Sequence, residues 1–147
     1  MRVIPDTNVW IAWSRQAPHG VWRDARDRPR PFLATITLQE LWAGIRSTAE
    51  QAYCERLYEH ARTAGRLLNP PAAAWVIAGQ TLRVLARRVG PARLRALRND
   101  VLLAATAWAY DAAVMTHDRA DLARIAQVLP VRVVSPDVPA TGHRSAG

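Results

Sequence analysis

At 147 residues, half of them hydrophobic (50%), the chain has the length of one ordinary domain, and its single cysteine, Cys54, excludes an intramolecular disulfide and a cysteine-based zinc cluster. No apolar run approaches the roughly 20 residues of a membrane span and no apolar h-region follows Met1, so a soluble, unprocessed, cytoplasmic protein is expected. The formal charge is +8 and all 20 basic residues are arginine, whose planar fork matches phosphate; the charge suits a polyanionic partner such as nucleic acid, and base bias across a genome would produce it too.

Arg2 to Pro5 is a short apolar run that predicts a strand, and Thr7 to about Arg15 predicts a helix. Gln16 to Pro31, with its prolines, Gly20 and mixed charges, predicts a solvated loop or short helix. Phe32-Leu33-Ala34 is a second strand, and a helical pattern begins at Thr37. A further helix runs from near Ala49 to Gly65, which is placed to end it. Arg66-Leu67-Leu68 is a third, edge strand closed by Pro70-Pro71.

From Ala72 to Val89, Trp75, Ala78, Leu82, Leu85 and Val89 recur at helical spacing until Gly90-Pro91 stops the helix. Val101 to Tyr110 is apolar almost all round, the mark of a buried helix. Ala112 to Met115 is a fourth strand, Asp118 to Leu129 a helix, and Val131 to Val134 a fifth strand. The polar tail from Pro136 is expected to be disordered. Strands alternating with helices, without internal repeats, predict an α/β domain with a mainly parallel sheet over 1–136 and a flexible tail over 137–147.

Carboxylates fall at the punctuation points of this pattern. Asp6 ends the first strand, Glu40 lies just past the second, Asp100 precedes the buried helix, and Asp118 follows the fourth strand. Each has a capping explanation: Thr37 with Glu40 spells a capping box, Asn99-Asp100 starts a helix, and Asp118 with Asp121 caps the next. Thr7 or Asn8 would likewise cap the first helix.

The joint pattern asks for more than capping. Ligands of open parallel sheets bind outside the carboxyl ends of the strands, where strand order reverses. A central first strand would bring Asp6 and Asp118 together there, with Glu40 and Asp100 arriving from adjoining helices. Acids so gathered repel and raise one another's pKa unless a cation joins them. Hard oxygen donors without nearby Cys or paired His suit Mg²⁺ or Mn²⁺, and such ions activate water for attack on a phosphodiester.

The stretches Asp6-Thr7-Asn8, Thr37 to Gly44, Asn99 to Ala107 and Thr116 to Leu122 closely resemble, in order and spacing, the PIN-domain ribonucleases, and in size and layout the VapC-type toxins of type II toxin–antitoxin modules. The resemblance implies a three-layer fold with a five-stranded parallel sheet in the order 3-2-1-4-5 between helices, and Mg²⁺- or Mn²⁺-dependent endonucleolytic cleavage of RNA. It makes Asp6, Glu40, Asp100 and Asp118 the catalytic and metal-binding acids, with Thr7, Asn8 and Thr116 in support. Asp121 stands where the family often has a further acid, a place that capping also explains. Pro5 departs from the usual aliphatic residue before the first acid, and Leu122 stands where an aromatic is common.

The resemblance also implies a homodimer and a cognate antitoxin that blocks the acidic pocket. Trp10, Trp13 and Trp42 would line the antitoxin groove or stack on bases, or else pack in the core. Arg83, Arg87 and Arg98, with Arg88 and Arg95, are candidate RNA contacts or a solvated face, and His117 is expected to be solvated. Two other classes compete: an RNA-binding or RNA-processing protein of the same fold outside any toxin–antitoxin module, without nuclease activity, and a phosphatase with Asp6 as nucleophile. The phosphatase would need an acid where Asn8 stands, and a lysine that the chain lacks.

Overall fold

A computed structural model of the chain describes residues 1–16 and 31–136. The loop expected between Gln16 and Pro31 and the tail expected over 137–147 lie outside the described residues. In chain order the elements are β1 (Arg2–Pro5), α1 (Thr7–Gln16), β2 (Leu33–Ala34), α2 (Thr35–Ala43), α3 (Thr48–Thr63) and β3 (Leu67–Leu68). They continue with α4 (Ala72–Leu85), α5 (Pro91–Ala96), α6 (Arg98–Ala109), β4 (Ala112–Met115), α7 (Ala120–Ala126) and β5 (Arg132–Val134). Among the described residues every strand pairing is parallel, as the alternation of strands and helices predicts.

The expected five-stranded sheet is not one ladder. A three-stranded sheet runs β1-β4-β5, and β2 pairs with β3 as a separate two-stranded piece. Among the described residues the two meet at a single bridge, Val3 with Pro31, where the Phe32 N–H donates to the Val3 carbonyl (2.9 Å). Proline explains why the ladder stops. Backbone groups alternate sides along a strand, so Pro5, two residues beyond Val3, faces the same side and has no N–H to offer β2. On β2 the Phe32 N–H faces Val3, so the Leu33 N–H faces the other side and donates to the Arg66 carbonyl (2.8 Å).

Alternation along the strands also divides the core. Ile4, Ala112 and Val114 face a cluster built on α4 and α6 with Leu85, Leu97, Val101 and Ile125, while Val3, Ala113 and Met115 face Val9 of α1. Such strands, buried on both faces, read as continuous apolar runs. From Val101 to Ala107 every residue of α6 is buried, as its all-round apolar sequence predicts. A third cluster gathers Trp10, Leu33, Leu41, Tyr53, Cys54 and Leu57 between α1, α2 and α3. Trp10 is fully buried and meets Trp13 edge-to-face at 5.2 Å, so these two serve the core, while Trp42 is 42% exposed.

Gly65 ends α3 in the left-handed region (φ 65°), and the Arg66 N–H reaches back to the Ala61 carbonyl (2.8 Å), the closing bond of a Schellman cap. Among the described residues no helix is long and apolar enough to cross a membrane.

Candidate active site

The carboxyl ends of β1 and β4 lie side by side because Pro5 is in register with Met115, and the Asp6 N–H extends the pairing by donating to the Met115 carbonyl (2.8 Å). The Asp6 carbonyl then accepts from the N–H groups of Val9 and Trp10, which starts α1. The Thr7 N–H donates to Asp6 Oδ1 (2.7 Å). The chain thus turns from strand to helix around one half-buried carboxylate.

Thr116, fully buried one residue beyond β4, gathers the neighbouring groups. Its Oγ1 accepts from Asn8 Nδ2 (3.1 Å) and from the Asp118 N–H (3.1 Å), and its proton lies within reach of Asp6 Oδ2 (3.3 Å) and the Asp118 carbonyl (3.1 Å). Asn8 Oδ1 accepts from the His117 N–H (3.2 Å), and the His117 side chain is exposed as expected. Asp118, one residue outside the N-cap of α7, accepts from the Ala120 N–H at Oδ1 (3.2 Å); the N-cap itself is Arg119 and makes no side-chain bond, so Asp118 holds the turn without being the expected cap.

Glu40 projects from α2 and is held from two sides. Thr7 Oγ1 donates to Oε2 (2.5 Å) and Asn99 Nδ2 donates to Oε1 (2.8 Å). The capping-box reading of Thr37 and Glu40 is therefore corrected: α2 begins at Thr35, its N-cap Ala34 makes no side-chain bond, and Glu40 is committed to α1 and α6. Thr7 and Asn8 likewise aim across elements instead of capping α1.

Asp100 lies in the first turn of α6, half-buried, with its pKa raised to about 7. Burial is the largest cause, followed by the negative charges of Asp6, Glu40, Asp121 and Asp118. A helix N-terminus favours an ionised carboxylate by about 0.3–1 kcal/mol, and here burial and repulsion outweigh it. The Asp6 carboxyl is raised too, by burial first and by Glu40 and Asp118, against the lowering bonds from Thr7 and Thr116. All the acids singled out from the sequence therefore share one electrostatic neighbourhood.

Asp121 pairs with Arg93 of α5 and does not cap α7, so one acid of the group has its own cation. Arg98 is exposed at the start of α6 beside Asn99 and Asp100, and Arg83 and Arg87 are exposed on and just past α4. The roles of Asn99 toward Glu40 and of Arg93 toward Asp121 were missed in the sequence. Asn99 had a signal, since it shares a helical first turn with Asp100; Arg93, 28 residues from its partner, had none.

The donor set is all carboxylate oxygen, crowded, and partly withheld from ionisation. It fits a hard divalent cation by chemistry and by charge. Among the described residues no three carboxylate, imidazole or thiol groups converge closely enough to hold a metal as they stand.

A family model described as the PIN domain matches residues 3–128. No curated protein matches. Among solved structures, the chain is similar to one in the DNA-bound VapBC of Salmonella typhimurium, at 22% identity and TM-score 0.62, covering 92% of this chain and 98% of that one. It is also similar to a chain of Rickettsia felis VapBC2 bound to a DNA fragment from its promoter (18%, TM-score 0.65, covering 93% and 100%). A third likeness is to a chain of VapBC-5 from Mycobacterium tuberculosis (22%, TM-score 0.59, covering 91% and 98%).

Proposed function

The chain belongs to the PIN domain family, and from that premise we propose that it is a divalent-metal-dependent endoribonuclease, the toxin of a type II toxin–antitoxin pair. The observation that carries this reading is the half-buried Asp100, surrounded by the charges of Asp6, Glu40, Asp118 and Asp121 at the carboxyl rim of a parallel sheet. Such a group is costly to keep anionic and becomes useful once a cation joins it.

Asp6, Glu40, Asp100 and Asp118 are the residues that would hold Mg²⁺ or Mn²⁺. When bound, the ion supplies activation of water for in-line attack and charge stabilisation at the leaving oxygen. Thr7 and Asn99 fix both oxygens of Glu40, and Thr116 with the Thr7 N–H fixes both oxygens of Asp6. The carboxylates are thus oriented before RNA arrives, which is how a rigid scaffold lowers the cost of reaching the reactive arrangement. The arginine-only positive charge supplies phosphate contacts, with Arg98 nearest the acids in sequence and Arg83 and Arg87 as further candidates. A cognate antitoxin completes the reading, supported by the shared fold with a chain of a toxin–antitoxin complex, and a homodimeric assembly and a cytoplasmic location belong to the same proposal.

The test is cleavage of structured RNA by the purified, antitoxin-free protein with Mg²⁺ or Mn²⁺. Wild type is expected to cut, and Asp6→Asn and Asp100→Asn to lose at least about a hundredfold in rate, in line with removing a group that organises transition-state charge. A wild type that cuts nothing, with both variants as toxic to cells as wild type, overturns the proposal. RNA binding indifferent to metal would then point to a binding or processing protein of the same fold.

A further inference from the structure

At the rim of the sheet opposite the acids, the residues that lead into the strands line an open cleft of about 670 Å³. Arg2 opens β1, Phe32 and Arg66 precede β2 and β3, Tyr110 and Asp111 precede β4, and Arg132 opens β5. With a strand rise of about 3.3 Å per residue, Arg2 lies roughly 13 Å along β1 from Asp6, so the cleft is separate from the acid cluster.

Its charge is the reverse of the acid rim, with three guanidinium groups against one carboxylate. Arg2 Nη1 donates to the Tyr110 carbonyl (3.1 Å), and Arg132 Nη2 to the Asp111 carbonyl (3.0 Å) and to Oδ1 of Asp111 (2.9 Å). These bonds account for two of the arginines as caps on the C-terminal end of α6. They do not account for Arg66. Its guanidinium stacks on the Phe32 ring, 5.1 Å from the centroid, and its Nη1 is buried with no hydrogen-bond partner among the described residues. A buried cationic N–H without an acceptor is costly, and an oxyanion is the acceptor that the guanidinium fork fits best.

We propose that this cleft is a phosphate site that takes the phosphate of a nucleotide, free or at the end of an RNA strand, with the half-buried Arg66 as its anchor. Arg2 and Arg132 flank the anion, and Phe32 and Tyr110 give the nucleoside an apolar wall. The volume is within the roughly 300–1,000 Å³ of small-ligand sites. The inference stands independently of the nuclease reading.

The experiment is calorimetric titration of the full-length protein, in EDTA, with adenosine 5′-monophosphate, inorganic phosphate, adenosine, and a 5′-phosphorylated trinucleotide. Adenosine 5′-monophosphate and phosphate are expected to bind wild type and Asp6→Asn alike, and adenosine is expected not to bind. Arg66→Gln, which keeps a stem over Phe32, is expected to weaken binding at least tenfold. Exposed Arg2→Gln serves as a second variant, with a severalfold loss. A trinucleotide that binds as tightly as the mononucleotide identifies an RNA end as the source of the phosphate; a mononucleotide that binds alone identifies a free nucleotide, and either supports the site. No saturable binding at millimolar ligand, adenosine binding equal to that of the monophosphate, wild-type affinity in both arginine variants, or loss of binding in Asp6→Asn overturns it.

Discussion

The hydroxyl of Thr116 has four polar neighbours, drawn from the end of β1, from α1 and from the turn after β4, and three of them belong to the acids Asp6 and Asp118. Replacing it with the isosteric valine leaves the Asn8 amide and the Asp118 N–H short of an acceptor in a part-buried place. Thr116→Val is expected to destabilise the protein by about 1–3 kcal/mol, read from urea unfolding at unchanged m, while Thr116→Ser stays close to wild type. Asp100 makes the opposite prediction. Its folded pKa of about 7 lies above the ordinary aspartate value of 3.8, so the unfolded chain gives up this proton first and stability falls as pH rises from about 4 to about 7, then levels off. In EDTA, Asp100→Asn is therefore expected to raise stability at pH 8 by about 1–2 kcal/mol, a figure discounted for the partial exposure of the group, and by less at pH 5. A gain independent of pH would mean that the Asp100 charge is not what is being relieved.

Among the elements, α2 and α3 show where sequence reading succeeds and where it stops. Gly65 and the run of apolar residues in α6 announce their roles because each is a local matter: a left-handed cap, and a helix buried on every side. The N-cap of α3 is equally local. Ser47 Oγ accepts from the Glu50 N–H (3.2 Å), and Ser47→Ala is expected to cost about 1 kcal/mol in thermal or urea unfolding without moving RNA cleavage, because α3 contributes no acid to the site. Thr7, Asn8, Thr37 and Glu40 look like caps by the same local criterion, yet none of them caps. Thr7 reaches Glu40 and Asn8 reaches Thr116, partners 33 and 108 residues away, and no short-range pattern encodes such a choice. The break between β1 and β2 was likewise written in the chain, at Pro5. It becomes legible once the side of the strand that this proline faces is known.

For the molecule as a whole, the acids were legible and their environment was not. Strand ends mark where Asp6 and Asp118 must fall, and an α/β alternation places strand ends at one rim. Which hydrogen bonds hold each carboxylate, and that Asp121 keeps an arginine of its own, follow only from the packing of α1, α2, α5, α6 and α7 around the strand ends. The charge of +8 makes one further prediction at this scale. Single-stranded RNA binding by Asp6→Asn is expected to weaken at least about tenfold between 50 and 200 mM salt, the slope of about three phosphate contacts, as read by fluorescence anisotropy. A flat salt response would mean that the arginines are spectators.

The pairing of Arg2 with Ala112 has a consequence for how the molecule comes into being. β1 is made first, and its partner strand follows more than a hundred residues later, so the central sheet is a contact of very high sequence separation, of the kind that slows folding. During synthesis, at about 5–20 residues per second, β1 waits for several seconds with its ladder edge open. A ribosome halted before β4 leaves Asp6 without Met115 to fix it and without Thr116 to orient it. The acid cluster therefore cannot close until β4 and the turn after it have been made, and a product terminated before them is born without it.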